Sequence, residues 1–297
     1  MRDVFQEITD KITAQLEAGV RPWAKPWKDG VAPLALELPH NIAGRPYRGG
    51  NVPMLWALAE EAGYRSPCWL TFNQAHERGG HVRKGERGAL VFFWKWQEVE
   101  DPTTGERRRR AFARAYTVFN LDQVEGVDVP TVQPRELPEF QRIEAADALM
   151  AATGARIEYG GDVACFVPSR DLVRLPHPAA FKAPDAFYST AFHELGHWTG
   201  HADRLAREFG KRFGDEAYAF EELVAELTAA FVCASQGFAS VVREDHASYI
   251  DHWLKVLKHD NRAFTAAAGK AQQAADFILG AGAAEAEEPH EMPALAA

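Results

Sequence analysis

The segment from Phe187 to His201 contains the pattern His-Glu-x-x-His inside an apolar run, and it constrains the chemistry of the chain more than any other segment does. Residues four apart on an α-helix lie one turn above each other, so His193 and His197 can present two imidazoles to one tetrahedral Zn²⁺ ion. Glu194 then lies beside the metal, where it can take a proton from a zinc-bound water and pass it to a leaving amine. The pattern therefore predicts the active-site helix of a zinc peptidase.

Two histidines leave a third protein ligand to be found, and an acidic segment that begins 24 positions after His197 offers one. The segment reads Glu221-Glu222-Leu-Val-Ala-Glu226 and lies in a run with the apolar periodicity of a helix. It resembles the carboxylate helix of ExxAD-type gluzincins, whose first carboxylate binds the metal while a second, four residues later, orients a ligand histidine. That resemblance implies Glu222 as the ligand and Glu226 as its outer partner.

Other ligand sets stay open at this point. Residues 193–203 also spell HExxHxxGxxD, a metzincin-like pattern with Asp203 as an oxygen ligand, although no Met-turn is recognisable downstream. Glu226 is a further alternative to Glu222, and His201 is a weaker one because a helix that ends at Gly200 leaves it outside. Zn²⁺ is the expected ion, and another divalent metal such as Mn²⁺ is compatible with these donors.

The charge and composition of the chain change at a proline-spaced stretch. The formal charge is +2 for residues 1–135 and −11 for residues 136–297, which together make the −9 of the whole chain. Prolines at positions 130, 134 and 138 mark residues 129–138 as a linker. Residues 281–297 are small and acidic, so we expect a disordered tail there. The chain is thus expected to contain two domains, residues 1–128 and residues 139–280.

The cysteine count and the N-terminus indicate where the protein works. Cys68, Cys165 and Cys233 are odd in number and far apart, so a disulfide framework is not expected. The N-terminus has no apolar signal segment, and nowhere do eighteen or so uncharged apolar residues run together. We therefore expect a cytoplasmic protein that does not span a membrane.

Apolar spacing and turn residues predict an α+β arrangement in the first domain. Val4, Ile8, Ile12 and Leu16 recur every fourth position, which is typical of an amphipathic helix. A second helix is expected over residues 53–62, and a short third helix from a Thr71 cap to Arg78. Strands over residues 89–99 and 108–121 are expected to form a hairpin across residues 101–105.

Basic and aromatic residues alternate along this predicted hairpin, in a pattern that fits single-stranded nucleic acid. Aromatic faces stack on unpaired bases, and Arg and Lys neutralise phosphates. The candidate residues lie on the hairpin or in the basic turn before it: Arg83, Lys84, Arg87, Trp94, Trp96, Arg110, Arg114 and Tyr116. An aromatic stripe at period two is more often part of a core, and a net charge of +2 is a weak basic footprint, so composition alone does not decide between the two.

The chain resembles the ArdC-type antirestriction proteins of conjugative plasmids over nearly its whole length. In the first half the resemblance lies in short peptides at residues 21–27, 41–51, 69–75, 79–88 and 118–124, which are similar to the ArdC N-terminal domain that also occurs in plasmid primases of the TraC kind. In the second half it lies in residues 193–200 and 221–226, which are similar to a zincin-like metallopeptidase domain. The resemblance implies single-stranded DNA binding and protection of incoming plasmid DNA from restriction enzymes.

These observations together predict an α+β fold, with an α+β single-strand-binding domain followed by a mainly helical zincin-like domain with a small sheet. Residues 171–175 are expected to form the strand that aligns a peptide substrate. The expected partners are single-stranded DNA and an unidentified protein substrate, such as a component of host restriction. Two alternatives are a DNA-coating protein with a structural metal and an acidic mimic of DNA that occupies the restriction enzyme.

Overall fold

A computed structural model describes residues 4–24, 36–100, 107–127, 138–209, 216–241 and 249–280, with positions 4, 94–97 and 108–113 described by their backbone alone. The predicted linker, the acidic tail and the hairpin turn lie wholly or almost wholly outside these residues. The described helices are α1 (Val4–Glu17), α2 (Asn51–Ala62), α3 (Phe72–Glu77), α4 (Glu139–Ala152), α5 (Pro184–Thr199), α6 (Glu216–Gln236), α7 (Tyr249–His259) and α8 (Ala263–Ile278). The described strands are β1 (His40–Asn41), β2 (Cys68–Leu70), β3 (His81–Val82), β4 (Ala89–Glu100), β5 (Arg107–Asn120), β6 (Val124–Glu125), β7 (Arg156–Tyr159), β8 (Cys165–Val167) and β9 (Leu172–Leu175).

Local sequence signals account for the N-terminal elements. Ile8, Ile12 and Leu16 form the buried stripe of α1, as their fourfold spacing predicts. Thr71 caps α3 by accepting a hydrogen bond from the Gln74 backbone N–H, and the Gln74 side chain accepts one from the Thr71 backbone N–H. The predicted helices and the predicted hairpin strands of this half are thereby confirmed, and the fold class is α+β.

The hairpin strands β4 and β5 are the long members of a four-stranded sheet of order β1-β2-β5-β4. They pair antiparallel from Ala89 opposite Val118 to Glu100 opposite Arg107. Asn51, at the start of α2, donates to the Phe92 carbonyl at 2.7 Å and accepts from the Phe92 N–H at 3.0 Å. This side chain satisfies the backbone at the outer edge of β4 and ties α2 to the sheet.

The C-terminal half packs helices around α6, beside a three-stranded sheet of order β7-β9-β8. Gly196 of α5 faces α6 closely, because a Cβ built on it would lie 3.2 Å from Cα of Ala225 and 3.3 Å from Cβ of Thr228. The glycine lets the two helix backbones approach, which brings the motif of α5 within reach of the carboxylates of α6. Within the described ranges, no helix is long and apolar enough to cross a membrane.

The buried apolar residues of the two halves form one cluster rather than two. Trp23, in the segment after α1, lies 6.1 Å from the ring of Trp253 and 5.9 Å from that of Phe264. Across the same interface, the Thr9 hydroxyl donates to the Asn261 carbonyl at 2.8 Å. The division at residues 129–138 is therefore a boundary in the sequence that the packed core does not follow.

Candidate metal centre

Helices α5 and α6 together position a compact group of metal-ligating side chains. His193 and His197 lie one turn apart on α5 and both face Glu222 on α6. The two Nε2 atoms are 3.2 Å apart. One Glu222 oxygen is 3.3 Å from Nε2 of His197 and the other is 3.5 Å from Nε2 of His193. The structure thus brings together the three residues that the sequence predicted as ligands.

These distances fit a bound metal ion. Two ligand atoms that each lie about 2.0–2.1 Å from a tetrahedral ion are roughly 3.3 Å apart. The Nε2 atoms of the two histidines are 3.2 Å apart, and each lies 3.3–3.5 Å from a different oxygen of Glu222. With one ligand atom taken from each residue, all three lie within 4.8 Å of one another. Two imidazoles and one carboxylate are also the donor set of catalytic zinc sites that keep a fourth position for water. His193, His197 and Glu222 can therefore hold a divalent cation.

Charge within the group is strongly coupled. Burial disfavours the charged imidazole, but the carboxylates of Glu222 and Glu221 outweigh burial and raise the pKa of His197 to about 10. Burial likewise opposes ionisation of Glu222, yet His197 and His193 hold the pKa of Glu222 well below its usual range. A metal ion must displace protons from these imidazoles in order to bind, so binding is expected to depend on pH.

Each histidine has a carboxylate on its other ring nitrogen. An oxygen of Glu226 lies 3.5 Å from Nδ1 of His193, which places Glu226 where the gluzincin resemblance implied. An oxygen of Glu221 lies 3.3 Å from Nδ1 of His197. Carboxylates in this position fix the orientation and tautomer of a ligand imidazole. The sequence did not predict this role for Glu221, and the one available signal was its position directly before Glu222.

Two arginines complete this outer layer, and neither was singled out from the sequence. Arg207 donates to both oxygens of Glu221, at 2.8 and 2.9 Å, and to the Gly196 carbonyl at 2.6 Å. Arg21 lies 3.6 Å from an oxygen of Glu226. The Arg21 signal in the sequence was its place in the peptide 21–27 that carries the family resemblance.

Of the alternative ligands, Glu226 faces Nδ1 of His193 on the side away from Glu222, whereas Asp203 and His201 lie apart from the group. The side chain of Asp203 is 85% exposed and lies 3.5 Å from Nδ1 of His201 rather than near the other histidines. Both residues follow the end of α5, which stops at Thr199 with Gly200 as its cap. The metzincin-like arrangement is therefore not the one the fold supports, since that pattern needs the chain to turn back toward α5.

Glu194 is buried on the same helix as the two histidines and is hydrogen-bonded to the small sheet. Its Oε2 accepts a hydrogen bond from the Phe166 N–H of β8 at 2.9 Å.

The strand predicted to align a substrate, residues 171–175, corresponds to β9, which pairs with β7 on one side and β8 on the other. That prediction is wrong, because both edges of β9 are already hydrogen-bonded. The edge strand nearest Glu194 is β8.

The residues predicted to bind DNA do not form one group. In an antiparallel pair, directly opposite residues share a face. The register sets position 94 opposite Ala113 and position 110 opposite position 97. Positions 94 and 96 thus belong to a different row of the strand pair from positions 110, 114 and 116, and the part that these residues play in DNA binding stays a prediction. The side chains of Trp94, Trp96 and Arg110 lie outside the described residues.

One basic side chain of the turn before the hairpin is hydrogen-bonded within the protein. Arg83 donates to the Glu86 carboxylate at 2.7 and 3.1 Å and to the Asp122 carbonyl at 2.5 Å. Its charge is thus already paired, which makes it a weak candidate for a phosphate contact. Lys84 and Arg87 are exposed, as is Arg114 on β5.

Comparison with known sequence families gives two matches, one in each half of the chain. Residues 144–270 match a zincin-like metallopeptidase domain, and residues 2–119 match the N-terminal domain of the anti-restriction factor ArdC. With the two-histidine, one-glutamate group on α5 and α6, these matches define a zincin-like protein that carries an ArdC N-terminal domain.

Solved structures and curated relatives agree with that class. The crystal structure of antirestriction protein ArdC from plasmid R388 is 40% identical in its metal-free form, with 95% of this chain and 98% of that chain covered and a TM-score of 0.79. Its Mn(II)-bound structure is 39% identical, with 95% and 99% covered and a TM-score of 0.77. The protein y4eC of Sinorhizobium fredii is 42% identical over 93% of this chain and 91% of its own length. The chain belongs to the ArdC family of antirestriction proteins.

A similarity to a longer protein extends this relationship. DNA primase TraC of Escherichia coli is 35% identical over 92% of this chain, and the chain spans 27% of the length of that primase. The shared unit therefore contains both the ArdC N-terminal domain and the zincin-like domain, joined in the same order.

Proposed function

We propose that this protein is a metal-dependent peptidase, with His193, His197 and Glu222 as ligands and Glu194 as the catalytic residue. The observation that carries the proposal is the 3.2–3.5 Å spacing among the Nε2 atoms of His193 and His197 and the two oxygens of Glu222, with the buried carboxylate of Glu194 on the residue after His193. A structural zinc site is ordinarily closed by four protein ligands, whereas a catalytic site keeps one position open. The metal found in the related Mn(II)-bound ArdC structure supports a divalent ion here, and the donor set suits Zn²⁺ as well.

The bound metal would polarise a peptide carbonyl and raise the acidity of a water molecule at the open position. Glu194 would accept a proton at its carboxylate and return it to the leaving nitrogen. The Phe166 N–H orients this carboxylate through its 2.9 Å hydrogen bond. Glu221 and Glu226 would orient the two imidazoles, since each has a carboxylate oxygen 3.3–3.5 Å from one Nδ1 atom. Because β8 is an edge strand beside Glu194, an extended peptide can pair with it as an added strand.

Substitution of Glu194 by Gln tests the catalytic assignment. Gln keeps the shape of the side chain but cannot act as a base, so cleavage should fall by a factor of about a hundred or more while metal content is unchanged. Cleavage is measured on host-cell proteins and on unfolded model substrates, with and without single-stranded DNA. Asp203→Asn is the matched control, because it removes an exposed carboxylate close in sequence. Unaltered cleavage by Glu194→Gln would remove Glu194 from the mechanism.

We further propose that the protein binds single-stranded DNA on the row of β4 and β5 that includes Phe93. This patch consists of Phe93, Tyr116 and Arg114, and the buried ring of Tyr47 packs near Phe93. Phe93 is 48% exposed, and its ring lies 5.6 Å from that of Tyr116 and 6.1 Å from that of Tyr47. Arg114 is exposed directly opposite Phe93 in the register. An exposed ring beside a cation offers a base a stacking partner and a phosphate a counter-charge.

Two single substitutions test this patch. Removing one stacking ring costs about 1–3 kcal/mol, so Phe93→Ala should weaken binding to a single-stranded oligonucleotide about five- to 150-fold. Arg114→Ala should lower the slope of log affinity against log salt by about 0.7. Phe140→Ala removes a similarly exposed ring on α4 and serves as the control. Wild-type affinity in Phe93→Ala would place the DNA elsewhere.

The two activities suit protection of incoming plasmid DNA during conjugation, in which DNA binding brings the peptidase close to proteins that meet the same strand. Such tethering restricts cleavage in the cytoplasm of the host. The protein substrate is proposed to be a component of host restriction. If the Glu194→Gln protein protects plasmid DNA as well as the wild type, coating of the DNA is sufficient and the metal has a different role.

A further inference from the structure

Arg21 reaches the metal centre from the N-terminal half of the chain. It follows α1 and lies within the segment that matches the ArdC N-terminal domain, whereas His193, Glu222 and Glu226 all belong to the zincin-like segment. Its side chain is 5% exposed. Nη1 of Arg21 is 3.6 Å from Oε1 of Glu226, and Oε2 of the same carboxylate is 3.5 Å from Nδ1 of His193. One carboxylate therefore spans the gap between the N-terminal arginine and a ligand histidine.

The other ligand histidine has a comparable arrangement, in which the arginine is hydrogen-bonded to the carboxylate, whereas Arg21 forms an ion pair at 3.6 Å. Nδ1 of His197 faces Glu221, and both oxygens of Glu221 accept hydrogen bonds from Arg207. Each imidazole is thus followed by a buried carboxylate and then by a buried arginine. His197, Glu221 and Arg207 all belong to the zincin-like segment. His193 and Glu226 belong to that segment too, but Arg21 comes from the N-terminal part of the chain.

Packing alone does not account for a charged residue at position 21. The guanidinium lies 5.6 Å from the centre of the Trp253 ring, in a cluster of aromatic side chains that an apolar residue could also fill. Buried ion pairs stabilise folded proteins little, because desolvation of the two charges offsets their attraction. Burial lowers the pKa of Arg21, and the Glu226 carboxylate opposes that shift. The charge is thus buried at an energetic cost and faces the carboxylate that lies on the Nδ1 side of His193.

We propose that Arg21 is a positioning residue of the metal centre, which holds the Glu226 carboxylate against Nδ1 of His193 and thereby makes the N-terminal domain part of the metal site. This inference rests on the proposed ligand set. The zincin-like segment contains every ligand but lacks one of the two arginines of the outer layer. Loss of such an outer partner typically lowers metal affinity about ten- to a hundredfold.

The test measures binding of Mn(II) to the full-length protein by the loss of the free-ion signal in electron paramagnetic resonance. Arg21→Met keeps the length and the contact with Trp253 but removes the charge, and it should weaken Mn(II) binding about ten- to a hundredfold. The line shape of bound Mn(II) should also change, which a purely structural role would not produce in folded protein. Thr9→Val is the matched control, because it removes a hydrogen bond across the same interface without touching the metal centre.

A double-substitution cycle identifies the route of the effect. If Arg21 acts through Glu226, Arg21→Met should cause no further loss of affinity in a Glu226→Gln background. If Arg21→Met does not fold, Arg21→Lys replaces it in the wild-type and Glu226→Gln backgrounds. Arg21→Lys should then lower Mn(II) affinity several-fold in the wild-type background and leave it unchanged in the Glu226→Gln background. Wild-type Mn(II) affinity in Arg21→Met, or an equal loss in both backgrounds, overturns the role of Arg21. Wild-type protein that binds no Mn(II) overturns the ligand set itself.

Discussion

Neutralisation of Glu222, set against Asp203, gives the sharpest test of the ligand set. Glu222 lies within 3.5 Å of both imidazoles and is buried, whereas the Asp203 side chain is 85% exposed. Zn²⁺ binding in small zinc domains is worth about 10–16 kcal/mol, so one ligand of three or four contributes about 3–5 kcal/mol. With a factor of ten for every 1.4 kcal/mol or so, Glu222→Gln should lower metal affinity from about a hundredfold to several thousandfold. Asp203→Asn should leave it unchanged.

The assay is a titration of metal-free protein with Mn(II), and with Zn(II) in competition with a chelating dye. Near-ultraviolet circular dichroism shows whether each variant is folded. Thermal unfolding with and without metal provides a second measure, because a ligand that binds only the folded state raises the midpoint by an amount that grows with the logarithm of its concentration relative to Kd. If Asp203→Asn empties the site while Glu222→Gln still binds metal, the assignment of the third ligand to α6 is wrong and the metzincin-like pattern stands.

Two further predictions concern pH and the shared core. Because the carboxylates of Glu222 and Glu221 raise the pKa of His197 to about 10, its proton competes with the metal below that pH, and the pKa of His193 is raised as well. Mn(II) affinity should therefore rise with pH by at least about tenfold per unit between pH 6 and 8, and a flat profile measured by the same titration would contradict this. A fragment of residues 1–128 loses the helices that cover Ile8, Ile12 and Trp23, so it should bind far more of the dye ANS than the full-length protein and should unfold less cooperatively. Low dye binding with a sharp thermal transition would show instead that this half folds by itself.

Sequence patterns were sufficient for the elements that depend on nearby residues. The spacing of His193 and His197 determines that both imidazoles share one face of a helix, whatever the helix packs against. The periodicity of α1 and the Thr71 cap of α3 are likewise local, and the structure confirms both. The hairpin strands follow from alternation of residue types and from the turn residues between them.

Other features depended on contacts between distant segments. The choice of Glu222 over Asp203 required the packing of α5 on α6, which the close approach at Gly196 permits. The sequence of β9 did not show that it pairs on both sides, because a four-residue strand can have the same sequence at the centre or at the edge of a sheet. Similarly, the register of β4 with β5 decides which aromatic and basic positions share a row, and a change of one residue would reverse the result.

The amino-acid sequence by itself determined the class of site, the helices that carry it and the two segments of the chain, because helical periodicity and motif spacing act over a few residues. Only the tertiary structure decided which carboxylate faces which imidazole, and that Arg21 of the first segment meets Glu226 of the second. The physical reason is that a buried charged group needs a partner close to it in space, and closeness in space does not require closeness in sequence. A buried carboxylate needs a partner within a few ångströms, and the chain can supply that partner from a position some two hundred residues away.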